Sequence, residues 1–117
     1  MNDEHARHYW QRHSIPCLDQ GSVWIERNRS WIEEQASLHP GFGDALRSIA
    51  LDALASEQPL DVRRALSALA VLGTDDDVPR LREVATERGG IVARDAGAAV
   101  EEIEKHRRTA QRRSGIG

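Results

Sequence analysis

Shifted by thirty positions, the chain aligns with itself: residues 51 to 70 (LDALASEQPLDVRRALSALA) lie without gaps over residues 81 to 100 (LREVATERGGIVARDAGAAV). Leu51 meets Leu81, Ala55 meets Ala85, Glu57 meets Glu87, Val62 meets Val92, Arg64 meets Arg94 and Ala68 meets Ala98. Leu54 over Val84 and Ser56 over Thr86 are conservative exchanges. A period of this length marks a repeat architecture, in which each copy of a supersecondary unit covers its neighbour's apolar face.

Within each copy the apolar spacing is helical. Phe42, Ala45, Leu46, Ile49, Ala50, Ala53 and Leu54 form one stripe, and Val62, Ala65, Leu66, Leu69 and Ala70 form another. The second copy offers Val78, Leu81, Val84 and Ala85, then Val92, Ala96, Ala99, Val100 and Ile103. Gln58-Pro59 ends a helix, because the residue before proline resists the α region. Asp61 is expected to cap the next helix, and Gly73 to close it in the left-handed conformation. Thr74 and the acids Asp75, Asp76 and Asp77 suit the positive end of a third helix, with Pro79 in its first turn. Gly89-Gly90 separates the last pair.

The stretch PLDVRRALSALAVLGTDDDVPRLREVA resembles a HEAT repeat of the short bacterial kind related to phycobilin-lyase repeats. The matching elements are Asp61-Val62-Arg63, the alanine-rich helix that follows, the Leu72-Gly73 turn, and Val78-Pro79 with Leu81. The likeness covers roughly residues 42 to 106 and departs in the second copy, where Gly-Ile-Val-Ala-Arg replaces Asp-Val-Arg. It implies an all-α, short right-handed α-solenoid. In that family the second helix of each hairpin lines a concave surface, which would align Arg64 with Arg94.

Two hairpins leave apolar faces uncovered. Residues 1–41 should supply the missing layer: a helix over about 3–13 carrying Ala6, Tyr9, Trp10 and His13, and one over 23–38 behind Ser22. The latter groups Trp24, Trp31, Ile32, Gln35 and Leu38 on one broad face. The expectation is about six helices: an N-terminal cap (1–41), a first hairpin (42–73) and a second (74–108) in one domain over 1–108, then a flexible basic tail (109–117).

Charge and cysteine use narrow the function. The net charge of −3 argues against general nucleic-acid binding, which needs clustered basic charge. Residues 105 to 113 are the exception, with Lys105, Arg107, Arg108, Arg112 and Arg113 and no acid. No apolar run reaches the roughly 20 residues needed to cross a bilayer. The opening MNDEHARHYW carries acids and lacks the apolar stretch of a secretory signal. Cys17 stands alone, so a reducing, cytoplasmic setting is expected.

The chemistry-bearing residues form no catalytic pattern. Nucleophile elbow, phosphate loop and dinucleotide glycines are missing, and Cys17 has no motif around it. His5 and His8 sit three apart, a spacing that can ligate a metal on a helix, but no zinc-protease glutamate accompanies them. The di-iron hydroxylases of the HEAT fold use His-Glu dipeptides, and this chain has only the reverse pair Glu4-His5. The acid triplet lacks the glycine and final glutamate of a calcium loop. Glu101, Glu102 and Glu104 are expected on an exposed face.

These readings favour a non-enzymatic protein-interaction module without cofactor or metal, a bacterial accessory or inhibitor protein such as a toxin-neutralising immunity protein or an assembly adaptor. Its acidic body would suit a basic protein partner. The candidate contact residues are Trp10, Trp24, Trp31, Arg64 and Arg94, because Trp and Arg concentrate binding energy. The alternative is a small metal-dependent or lyase-type enzyme using His5, His8 and nearby carboxylates.

Overall fold

The computed structural model describes the backbone of residues 2–13 and 15–116 and the side chains of residues 4–13 and 15–109. The described residues form six α-helices: α1 (Asn2–Arg12), α2 (Ser22–Leu38), α3 (Phe42–Ala53), α4 (Pro59–Leu72), α5 (Val78–Arg88) and α6 (Gly90–Ile116). No strand occurs among the described residues. The basic tail expected over 109–117 falls almost wholly beyond the described side chains.

The helix ends follow from local chemistry, with three departures from expectation, the first that Ser22 begins α2 behind Gly21 and does not cap it. Pro59 opens α4 directly, behind Gln58 in an extended conformation (φ −83°, ψ 117°). Asp61 therefore lies inside the first turn, where it accepts the Ser56 hydroxyl at 3.0 Å rather than capping the helix. Gly73 is not left-handed (φ −65°, ψ 154°). A Cβ there would stand 2.5 Å from the Leu69 carbonyl oxygen and 2.6 Å from Ile103 Cδ1, so the glycine serves close packing between α4 and α6. The positive-φ junctions among the described residues are Gly21 (φ 109°) before α2, Gly41 (φ 86°) before α3, and Gly89 (φ 66°) and Gly90 (φ 57°) between α5 and α6.

α3 packs on α4, α5 on α6, and α4 on α6. α1 lies on α3, while α2 crosses α3 and α4. One apolar cluster joins Ala50, Leu54, Val62, Leu66, Leu69, Leu81, Val84, Ala96, Ala99 and Ile103. A second, beneath α1 and α2, joins Ala6, Tyr9, Ile15, Ile32, Phe42 and Leu46. Trp10 packs against both and so ties the N-terminal layer to the hairpins.

Polar ties cross between the hairpins. Arg47 of α3 holds Asp77 with two bonds, at 2.9 and 2.6 Å, and the Thr74 backbone N–H donates to the same carboxylate at 2.9 Å. Arg88 at the end of α5 donates to the carbonyls of Leu54 and Ser56 just past α3. Arg107 takes Asp75 at 3.1 Å, so two acids of the triplet are committed to arginines. Glu102 is not on an exposed face as expected: it is largely covered and accepts Arg29 at 3.3 Å.

α2 buries a different face from the one its aromatic spacing suggests. Its buried residues are Asn28, Arg29 and Ile32, whereas Leu38 is 63% and Trp24 39% exposed. The reason is that α2 faces polar groups. Asn28 donates to the Ser67 carbonyl at 3.3 Å and Arg29 to Glu102 on α6. These bonds accompany a buried face that is rotated from the tryptophans but still includes Ile32.

Two substitutions test this packing. Gly73→Ala should lower stability by about 1–3 kcal/mol through overpacking, read as the urea midpoint; an unchanged midpoint would mean that α6 yields freely. Arg47→Met should cost about 3 kcal/mol, because it leaves the Asp77 carboxylate buried and unpaired. Burial alone would raise the Asp77 pKa, but the Arg47 bonds and the Thr74 N–H outweigh it and hold the carboxyl below its usual value. Its stabilisation is therefore present above about pH 4 and lost as pH falls through the folded-state value. In Arg47→Met burial is opposed by the Thr74 bonds alone, so that carboxyl should titrate higher than in the parent chain, read by NMR.

Candidate functional site

The segment between α1 and α2 runs over α4, and arginines and a serine of α4 hold it there. The last carbonyls of α1 have no partner within the helix. Arg64 supplies one: its Nη2 donates to the Trp10 carbonyl, and to the His13 carbonyl at 3.4 Å. The guanidinium carbon also sits 4.5 Å from the Trp10 ring centre, a cation–π contact. The Ser67 hydroxyl donates to the Pro16 carbonyl at 2.6 Å. Arg63 reaches the other way, to Asp95 of α6 at 2.7 Å and Asp19 at 2.9 Å.

Three open clefts border this N-terminal layer. The first, about 330 Å³, lies between α1 and α2 and is lined by His5, His8, Tyr9, His13, Trp31 and Glu34 among others. His5 donates from Nε2 to Gln35 at 2.7 Å, in one tautomer, and its ring lies 3.9 Å from His39. His13 stacks on Tyr9 at 4.4 Å and meets Trp31 edge-on at 5.1 Å. Tyr9 Oη and His13 Nε2 are buried without a hydrogen-bond partner among the described residues. Burial pushes the Tyr9 phenol up to about 12 and the His13 imidazolium below its ordinary value. No group of three or more His, Cys, Asp or Glu side chains among the described residues is disposed to hold a metal ion.

The second cleft, about 460 Å³, runs along α2 past Val23, Glu26, Arg27 and Trp31. The third is the largest of these, about 660 Å³, and lies where the end of α1, the connector and the start of α4 meet. Its lining combines Arg12, His13 and Arg64 with Ile15, Pro16, Trp24 and Leu60, and includes no carboxylate among the described residues.

The residues singled out from the sequence are distributed unequally over this layer. Trp10 is half-buried under Arg64, Trp31 lines two clefts, and Trp24 is exposed, with Arg27 5.0 Å from its ring centre. Arg64 and Arg94 are equivalent in the repeat but not in use. Arg64 holds the connector, whereas Arg94 is exposed with no hydrogen bond or ion pair to the described residues. Burial raises the Cys17 thiol, which opposes a reactive thiolate. Sequence reasoning missed Arg12 and Leu60. Leu60, 60% exposed beside the helix-opening proline, was detectable as an apolar residue off the stripe of α4.

No protein-family model, curated protein or solved structure matches this chain.

His13 provides a pH test of the layer. Its lowered folded-state pKa means that the unfolded chain binds the proton more readily. The stability it contributes is full above about pH 6.5 and falls as pH drops through the folded-state value. The melting temperature should decline between pH 7 and 5, and His13→Asn should flatten that decline. An equal slope in both proteins would sink the assignment.

Proposed function

We propose that this protein is a non-enzymatic interaction module that binds one specific protein through its N-terminal layer. The observation that carries this reading is where large apolar side chains lie exposed. Val23 is 63%, Leu60 60% and Trp24 39% exposed, beside clefts that run along and between α1, α2 and α4. Apolar side chains set among polar rims are characteristic of protein contact sites, and Trp and Arg are the residues that most often anchor them.

In this reading the hairpins α3–α4 and α5–α6 are HEAT-like units of a short right-handed solenoid. Several polar ties join residues about one repeat apart in sequence, such as Arg47 with Asp77 and Arg88 with Ser56, which supports that reading. The hairpins are then scaffold, and α1 and α2 present the contact surface. Biologically, this is the design of a bacterial cytoplasmic accessory protein, either an assembly adaptor or an immunity protein that neutralises a toxin. The acidic balance of the chain favours a basic partner overall, although the third cleft is itself cationic.

The reading is tested by site-specific photo-cross-linking in the cells that make the protein. A benzophenone side chain at Val23 or Leu60 should give one discrete heavier adduct, and the same group at Glu87 on α5 should not. Adducts at all three positions, or at none, would overturn it.

A further inference from the structure

The third cleft has a charge that the rest of the molecule does not. Acids outnumber lysines and arginines nineteen to sixteen in the chain, yet this groove is lined by Arg12, Arg64 and His13 with no carboxylate among the described residues. Of the two acids next to its lining residues in sequence, one is ion-paired and neither lines the groove. Asp19, beside Gln20, pairs with Arg63 at 2.9 Å, and Asp61, beside Leu60, accepts the Ser56 hydroxyl. Arg64 is ordered without being neutralised, since it donates from Nη2 alone and only to backbone carbonyls. Its stacking on Trp10 fixes the guanidinium plane. A carboxylate arriving at this group meets a cation whose side-chain entropy is already lost, which is the condition for a strong charge-assisted pair.

The apolar part of the lining is equally specific. Trp24 and Leu60 stand exposed at the groove, with Ile15 and Pro16 also lining it. Resting on the reading of this protein as a protein-binding module, we propose that the groove docks an acidic peptide segment of the partner. Its carboxylates would bind Arg12 and Arg64, and its flanking apolar side chains would rest on Trp24 and Leu60. The partner's contact segment is then acidic even though this protein is acidic overall, with the attraction confined to one groove.

The test pans the full chain against a phage-displayed library of random peptides and measures the selected peptides by fluorescence anisotropy. Enriched sequences should place Asp or Glu next to Leu, Ile or aromatic residues. Arg12→Glu and Leu60→Ser should each weaken the selected peptide about tenfold while leaving the melting temperature unchanged, because both residues are exposed. Arg64 is not varied, since it also holds α1. Raising the salt should weaken binding to the parent chain more than to Arg12→Glu. Selected peptides that are basic or uncharged, or insensitive to Arg12→Glu, would overturn the acidic-segment proposal and leave the protein-binding reading standing. Failure of any peptide to enrich, together with no cross-linked adduct at Val23 or Leu60, would sink both. A labelled single-stranded oligodeoxythymidylate serves as the nucleic-acid arm. Arg12-dependent binding of it, with no peptide selected, would replace the peptide by a phosphate backbone.

Discussion

α4 is buried on more sides than an amphipathic helix allows, and the rest of the molecule is arranged around that fact. Val62 and every residue from Ala65 to Ala70 are buried, Ser67 included. A helix covered all round needs neighbours all round. It finds α3 and α6 on the sides that its leucines face, and α2 with the connector on the rest. Small residues make that second contact close: the Ser67 side chain reaches Pro16, and the Ser67 carbonyl accepts Asn28.

The N-terminal layer is attached by apolar contacts, through Ile32 and Trp10 among others, and also by buried polar bonds. The hairpins share an apolar cluster of leucine, valine and alanine. α2 also buries Asn28 and Arg29 toward α4 and α6, and the connector is held through Arg63, Arg64 and Ser67. Such bonds contribute modestly each, but losing one partner leaves the other buried and unsatisfied. They fix direction more than they add stability. One consequence is that the tryptophans of α2 are released from the core to the surface and the clefts.

That division accounts for which charged and aromatic side chains remain at the surface. An arginine spent on backbone carbonyls keeps its charge, and a tryptophan turned out of a helix interface keeps its face. Arg64 and Trp24 line the same groove in these conditions, beside a leucine that α4 has no room to bury. Arg94, its repeat equivalent, lacks an N-terminal segment to hold and remains a solvated surface charge. Repetition set the position of the two arginines, and the unrepeated segment made them different.

The sequence by itself determined the helices and their pairing. The offset of thirty, the helical spacing of apolar residues and the proline and glycine breaks place α3 to α6 within a few residues of where they lie. These are local signals, since period and backbone conformation depend on near neighbours in the chain. The acid triplet before α5 and the packing stripe of α4 were legible for the same reason. What only the tertiary structure decided was the use of each ambivalent side chain. Gly73 is small because Ile103, thirty residues away, presses on it, and not because its backbone is left-handed. Arg64 caps α1 and Glu102 receives Arg29 because distant elements bring those partners within reach. Trp24 is exposed because α2 turns its buried face toward the polar partners of Asn28 and Arg29, and no spacing of apolar residues could announce that. Partner choice for polar and aromatic groups is a long-range outcome, whereas helix formation is a short-range one.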